Sequence, residues 1–416
     1  MKNLKEDAFK LLLSNKKQGY SKNLKRNYFY ISPDAIHYYQ WFWDSCFHAI
    51  VMSEFNVDFA IREIDALLSC QLENGFIPHI IFWKWKLSDR FSFRKWWKKE
   101  TYPESRCFTA EIQPPVLGIT IKRIFKKTKD IEFLKYYLPK VQKYFDYLKE
   151  ERDPDKDFLI SIITPMESGM DVAPQFDIPF GNFENAPVFT KRKISDMLKK
   201  YKKINWNLEK IFNLDIFNFE DVAANTIYLL SLEALSYLWS FIDKEKSSEL
   251  KNFYHEAKSK IIEKFWDDED KIFYGIYHKK GKEFKAKIKT IASLFPLCLD
   301  IPERYVNALV DHLLNEKEFW CPYPIPSVSM DEESFGPLTD TRFIWRGTVW
   351  INTNWFIGKG LLRHGKNKIY EKLKDKTIEL VEKYGFCEFY DPFTGKPGRA
   401  MRNFGWSTLA IDLACH

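Results

Sequence analysis

This chain of 416 residues carries almost none of the marks of redox, metal or membrane chemistry. Its seven cysteines, at 46, 70, 107, 298, 321, 387 and 415, are odd in number, scattered and never spaced Cys-x-x-Cys. Neither a disulfide framework nor a dithiol centre is therefore expected. The eight histidines form no His-Glu-x-x-His and no tight cluster, so no metal is expected either. A Gly-rich phosphate loop and a Ser or Cys nucleophile elbow are missing, and no cofactor is implied. No apolar run approaches the roughly 18 residues of a membrane helix. The opening MKNLKEDAFKLLLSNKKQGY has one Leu triplet among charges and no small-residue cleavage site, so it does not read as a signal peptide. A soluble, cytoplasmic protein with no membrane partner is the expectation. Charge of one sign is scarce too: 64 Lys and Arg against 57 Asp and Glu leave +7, short of the broad basic excess of a nucleic-acid binder. Gly/Ser-rich and Pro-rich linkers are absent, and apolar helical patterns continue on both sides of every candidate break. One domain spanning 1–416 is expected.

Aromatic residues are abundant instead: 36 Phe, 21 Tyr and 14 Trp make 17% of the chain, enough to fill a wide core and also to line a site for flat, partly polar ligands such as sugar rings. Apolar positions recur with the 3.6-residue period over 57–72, 116–127, 131–151, 222–242, 247–266, 305–314, 350–362, 366–384 and 406 to the end. Shorter stretches near Phe9, Phe47 and Leu294 bring the expected total to about a dozen helices. Strand patterns are thin, the best being a hairpin over 272–288 around Lys279-Lys280-Gly281-Lys282.

Two long segments escape the helical period, 83–111 and 164–215, and loops of that length in a compact domain usually serve as lids or binding loops. The first interleaves Lys84, Lys86, Arg90, Arg94, Lys95, Lys98 and Lys99 with Trp83, Trp85, Trp96 and Trp97. It reads as a lid over a small anionic ligand or as a solvated loop, with nucleic acid ranked last. The second contains the Lys-rich run 191–203, read as a solvated helix face.

Carboxylates remain as the carriers of chemistry. Hydrolysis of a glycosidic bond needs one protonated acid on the leaving oxygen and a second carboxylate that attacks carbon or activates water. Asp171 sits in a turn-rich loop between Gly169 and Pro174, and Glu388 lies between Cys387 and Phe389, where apolar neighbours raise a carboxyl pKa. Each has a plainer alternative as a cap or turn residue. Asp44 can N-cap a helix near Ser45, Asp177 and Asp391 can hold turns, Arg346 can form a structural ion pair, and His48 and His79 can be satisfied core histidines.

In order along the chain stand Trp43-Asp44-Ser45 with Phe47-His48; 71–80 with its Asn-Gly-Phe-Ile-Pro-His core; Gln113-Pro114-Pro115; and Glu167-Ser168-Gly169-Met170-Asp171. Then follow Trp345-Arg346-Gly347, Trp350-Ile351-Asn352-Thr353-Asn354-Trp355, Glu388-Phe389-Tyr390-Asp391-Pro392 and Phe404-Gly405-Trp406-Ser407. This ordered set resembles glycoside hydrolase family 63 and its compact mannosylglycerate and glucosylglycerate hydrolase branch, over nearly the whole chain. The resemblance implies an all-α fold, a single (α/α)6 barrel with long active-site loops at one mouth, and an inverting α-glycosidase. Asp171 matches the family's general acid, for which a raised pKa is expected, and Glu388 its general base. Asp44, Trp43, Arg346 and Trp406 match the sugar subsite and Gln113 falls near the aglycone; Trp345, Tyr38 and Trp41 complete the expected substrate-binding set. The compact length favours a glycerate glycoside, a small anionic substrate. Ala-Pro-Gln-Phe-Asp at 173–177, where relatives more often show Ser-Pro-Arg-Phe-Asp, and the insertion 178–215 depart from the pattern on the aglycone side. A neutral α-glucosidase or trehalase, and a non-catalytic carbohydrate-binding or nucleic-acid-binding protein, are the alternatives.

Overall fold

A computed structural model describes residues 2–85, 100–103, 105–181, 187–337 and 344–415. Chain order is helix α1 (Lys2–Ser14), a two-stranded hairpin (Lys16–Ser21 with Arg26–Ile31), α2 (Phe42–Met52), α3 (Val57–Leu68), α4 (Leu117–Thr128) and α5 (Ile131–Glu151). Then come α6 (Pro187–Lys203), α7 (Leu208–Leu214), α8 (Val222–Trp239), α9 (Lys244–Phe265), a 3-10 segment (Ile291–Cys298) and α10 (Glu303–Leu314). The chain closes with α11 (Ile351–Arg363), α12 (Asn367–Tyr384), a 3-10 turn (Gly405–Thr408) and α13 (Leu409–Ala414).

Six of these segments form a closed inner ring: α2 packs on α4, α4 on α8, α8 on Ile291–Cys298, that segment on α11, α11 on α13, and α13 back on α2. Helices α3, α9, α10 and α12 each follow an inner segment in the chain and pack against it. Helix α5, which follows α4, packs on both α4 and α8, and α1 covers α13. The sequence dictates which helix is inner. Every residue of α2 is buried, as is every residue of Ile291–Cys298, whereas α9 buries only Leu250, Tyr254, Ala257, Ile261 and Phe265 along one stripe. A helix apolar all round must be enclosed, and a striped one lies on the surface. Close approach in the inner ring needs small residues: a Cβ on Gly360 of α11 would stand 2.8 Å from the Leu297 carbonyl carbon. Outer helices start at side-chain caps, as where Asn56 Oδ1 accepts from Phe59 N at 3.0 Å before α3 and Asp130 Oδ1 from Glu132 N at 2.8 Å before α5.

The architecture is the all-α ring expected, and the hairpin expected over 272–288 is present as Ile276–Lys279 paired with Lys282–Lys285. One element was not read and two expectations need correction. The hairpin at Lys16–Ser21 and Arg26–Ile31 was not foreseen, because KKQGYS has no apolar alternation. The segment 164–215 is not one long loop: it contains α6 and α7. In α6, Ile194, Met197, Leu198 and Tyr201 are buried at helical spacing while Arg192, Lys193, Lys199, Lys200, Lys202 and Lys203 are exposed, so the Lys-rich run is the outer face of a docked helix. Finally, α2 starts at Phe42, so Asp44 lies inside its first turn and does not cap it. Among the described residues no helix is long and apolar enough to cross a membrane. Cys46, Cys70, Cys107, Cys298, Cys321 and Cys387 are buried free thiols and Cys415 is an exposed one.

Candidate active site

Four of the inner segments, α2, α4, α11 and α13, begin beside one cavity mouth. A cavity of about 90 Å3 at this mouth is lined by Pro33, His37, Trp41, Trp43, Asp44, Gln113, Gly169, Asp171, Ile344, Trp345, Trp350, Glu388, Phe404 and Trp406. Trp43 and Asp44 come from the first turn of α2, Gln113 from just before α4, Trp350 from the residue preceding α11, and Trp406 from the turn preceding α13.

Asp171 is delivered by a tightly built loop. Glu167, fully buried, accepts from Arg152 Nη2 and Nη1 at 2.5 and 3.0 Å, from Ile112 N at 2.9 Å and from Ile163 N at 2.8 Å, which nails the turn Pro165–Ser168 to α5 and to the strand-like segments beside it. The chain then reverses at Gly169, whose φ of +72° suits glycine and whose hydrogen faces the Trp43 ring; a Cβ there would lie 2.4 Å from Trp43 Cη2. Gly169→Ala is accordingly expected to cost about 1–3 kcal/mol in thermal unfolding and to lower kcat/KM by tilting Trp43. Unchanged activity would show that the Trp43 position is immaterial. Asp171 follows with its side chain open to the cavity, yet enclosure by protein raises its carboxyl above the usual range, Glu111 adding to the rise and His79 opposing it.

Glu388 is held from the other side. Its backbone N donates to Met401 O at 2.8 Å, Tyr390 pairs with Val349 through reciprocal backbone bonds at 2.8 and 2.9 Å, and Trp406 Nε1 donates to Glu388 O at 3.4 Å. Burial pushes the Glu388 carboxyl up to about 7, with Asp34 and Asp171 adding and His37 opposing. Asp44 is buried and pushed up to about 8 for the same first reason. Among the described residues its Oδ1 has no hydrogen-bond partner, and neither has Nε1 of Trp41, which lines the same cavity. A buried acceptor and a buried donor left unmatched cost free energy unless a ligand pairs them. Polyol hydroxyls, which donate and accept at once, match that pattern.

The walls are aromatic. Trp43 meets Trp406 edge-on at 5.5 Å, and Trp345 stacks on Trp350 at 3.7 Å. Gln113 Oε1 accepts from Trp43 N at 3.0 Å and so fixes the start of α2 as well as facing the cavity. Two raised carboxyls facing one aromatic cavity suit acid-base cleavage of a sugar bond.

Comparison with known proteins agrees with this geometry. Residues 37–407 match the family described as the mannosylglycerate hydrolase MGH1-like glycoside hydrolase domain. The chain belongs to this glycoside hydrolase family. It is 28% identical to the mannosylglycerate hydrolase of Thermus thermophilus over 92% of this chain and 95% of that one. It is 26% identical to the glucosylglycerate hydrolase of Mycolicibacterium hassiacum over 90% of this chain and 91% of that one. The crystal structure of the family 63 mannosylglycerate hydrolase of T. thermophilus with Tris and D-glycerate superposes with a TM-score of 0.84, at 25% identity and 99% coverage of both chains.

As a member of this family the chain is a glycoside hydrolase, and eight of its ten expected site residues line the one cavity: Asp171, Glu388, Trp43, Asp44, Gln113, Trp345, Trp406 and Trp41. Arg346 and Tyr38 are not among the lining residues. Arg346, buried behind Trp345, donates through Nη2 to Asp177 Oδ2 at 2.6 Å, and Thr190 Oγ1 donates to the other oxygen of Asp177, so this ion pair ties the mouth to α6. The Tyr38 ring packs on Tyr39 within a small cluster with Ile80 and Phe82. The basic residues Lys86, Arg90, Arg94, Lys95, Lys98 and Lys99 of the expected lid lie outside the described residues, while Trp83 is core, its Nε1 donating to Gln40 Oε1 at 2.7 Å. Sequence reasoning missed His37, a lining residue that no motif distinguishes from any surface histidine. A separate group with metal-like spacing, Asp155, Glu220, His278 and Glu283, already surrounds a cation, since the Lys264 ammonium lies 3.6, 2.9 and 2.9 Å from the carboxylates of Asp155, Glu220 and Glu283.

Proposed function

We propose that the chain hydrolyses a 2-O-α-glycoside of glycerate, with mannose or glucose as the sugar, and that it inverts the anomeric centre. Asp171 gives its proton to the glycosidic oxygen as the bond to the anomeric carbon breaks. Glu388 takes a proton from the water that attacks that carbon from the opposite face. Products are the free β-sugar and glycerate, and the two carboxyls exchange protons with solvent before the next turnover. Trp43, Trp345, Trp406, Asp44 and Trp41 form the sugar pocket in this reading, with Gln113 towards the aglycone. The observation that carries it is the pair Asp171 and Glu388 facing one aromatic cavity in which Asp44 Oδ1 and Trp41 Nε1 have no hydrogen-bond partner among the described residues. The glycerate aglycone follows from the names of the relatives. The experiment is proton NMR of the anomeric signals with mannosylglycerate, glucosylglycerate and trehalose in parallel. Early appearance of a β-anomer from one glycerate glycoside supports the reading; an α-anomer would exclude inversion, and no cleavage of either would exclude the aglycone.

One observation favours a second reading, a neutral or larger α-glucoside. A further cavity of about 330 Å3 adjoins Asp171, Ile344 and Trp345, and is otherwise lined by Met166, Val172, Ile194 and Leu198 with Glu100, Lys191 and Ser195. That wall is more apolar than a three-carbon acid requires. Cleavage of trehalose alone in the same experiment would select this reading.

A further inference from the structure

The sugar cavity presents three carboxyls, Asp44, Asp171 and Glu388, and among the described residues lining it His37 is the only basic one. Taking a carboxylate out of water and placing it beside two others drives it to bind a proton, and a protonated Glu388 cannot accept one from water. The fold must therefore supply positive charge at this point if Glu388 is to act as a base.

His37 is built for that task. Asp34 Oδ1 accepts from the backbone N of Ile36 and of His37 at 2.5 and 2.6 Å, an Asx-type turn that fixes the loop, and Asp34 Oδ2 lies 2.9 Å from His37 Nδ1. The turn is laced to the segment carrying Phe404 and Trp406: Gly405 N donates to Pro33 O at 2.7 Å, and Asn15 Nδ2 donates to both Pro33 O and Asn403 O at 3.1 and 3.0 Å. The His37 ring is clamped edge-on between Trp41 and Phe404 at 5.8 and 5.9 Å. Burial opposes its charge, but the Asp34 bond and the charges of Asp34, Glu388 and Asp44 together push it up to about 9, so the ring is an imidazolium at neutral pH. Asp34 is itself held below the usual carboxylate range by the same pairing, burial notwithstanding. Arg402, two residues before Phe404, turns its Nη1 to Tyr384 O and Cys387 Sγ, while Met401 N donates to Glu388 Oε2 at 3.4 Å. His79, edge-on to Trp41, is pushed down to about 4 by burial, with Asp171 and Glu167 opposing the fall.

We propose that His37, locked by Asp34, is a positioning residue that acts through Glu388: its imidazolium is the fixed counter-charge that keeps the base ionised between Asp44 and Asp171. This rests on Glu388 being the base. His37→Asn retains a donor near the Nδ1 position and removes the charge. The acidic limb of kcat/KM against pH, which reports ionisation of Glu388, is then expected to move to higher pH by about 1 unit, a tenfold gain in proton affinity; loss of the Asp34 pair lowers the melting temperature, which by itself does not move the limb. A merely structural histidine would lower the rate evenly at all pH values and leave the limb in place, which overturns the proposal. Independently of activity, the His37 ring titration by NMR is expected near 9 in the wild type and closer to its ordinary 6.5 in Asp34→Asn; a wild-type value near 6.5 overturns the proposal as well. Glu388→Gln separates the two layers: normal turnover there removes the base assignment itself, whatever the His37 titration shows.

Discussion

Asp171→Asn is expected to lower turnover of the natural glycoside by about 10²–10⁴-fold while leaving the melting temperature nearly unchanged. Among the described residues the turn is held by groups other than this carboxyl: by Glu167, by Ser168 Oγ donating to Pro165 O and by Met170 N donating to Ser168 Oγ. The Asp171 side chain opens to the cavity, so an isosteric amide disturbs little packing. What the amide cannot do is give a proton to a leaving alkoxide. The effect must therefore depend on the leaving group, and an α-glycosyl fluoride, which departs without protonation, should be cleaved by the variant at close to the wild-type rate. Equal losses on both substrates would take Asp171 out of the acid role and make it a binding residue. Glu388→Gln should lose both substrates alike, because every leaving group needs the activated water.

Much of this was legible in the sequence, for physical reasons that differ by element. The inner segments announce themselves because a helix enclosed on all sides is apolar throughout, as Phe42–Met52 and Ile291–Cys298 are. The run 191–203 read as a helix face, but the docking of α6 was hidden because its buried stripe is only Ile194, Met197, Leu198 and Tyr201 among lysines, a pattern that reads as solvated until the partner surface is known. Asp171 and Glu388 stood out through their motifs. Arg346 read equally as an ion-pair former and as a ligand contact, since the carboxylate that holds it, Asp177, is 169 residues away in the chain. His37 is the extreme case: its charge is set by a turn that becomes rigid only when 33–34 meet 403–405, at opposite ends of the chain. Local sequence carries helices and turns, but the protonation state of a site belongs to the folded neighbourhood.

That neighbourhood has its own support, and Arg152→Met should expose it, with an expected loss of about 3–5 kcal/mol. Arg152 and Glu167 are both fully buried, and burial raises the Glu167 carboxyl while the guanidinium opposes the rise. Removing the arginine leaves an acid that must stay charged without its partner or take up a proton and surrender part of its hold on Ile112 N and Ile163 N. Either route loosens the turn that carries Asp171, so the loss of stability should come with a fall in kcat. Adding Glu167→Gln to Arg152→Met tests the cause. The amide oxygen still accepts from the backbone and carries no charge, so the double variant should regain part of the stability, and the coupling between the two substitutions should exceed the few tenths of a kcal/mol typical of independent sites. Strict additivity in chemical denaturation would mean that the pair is only packing. Partial recovery of kcat in step with stability would show that the ion pair serves the catalytic acid by holding its loop, since neither side chain is among the residues that line the sugar cavity.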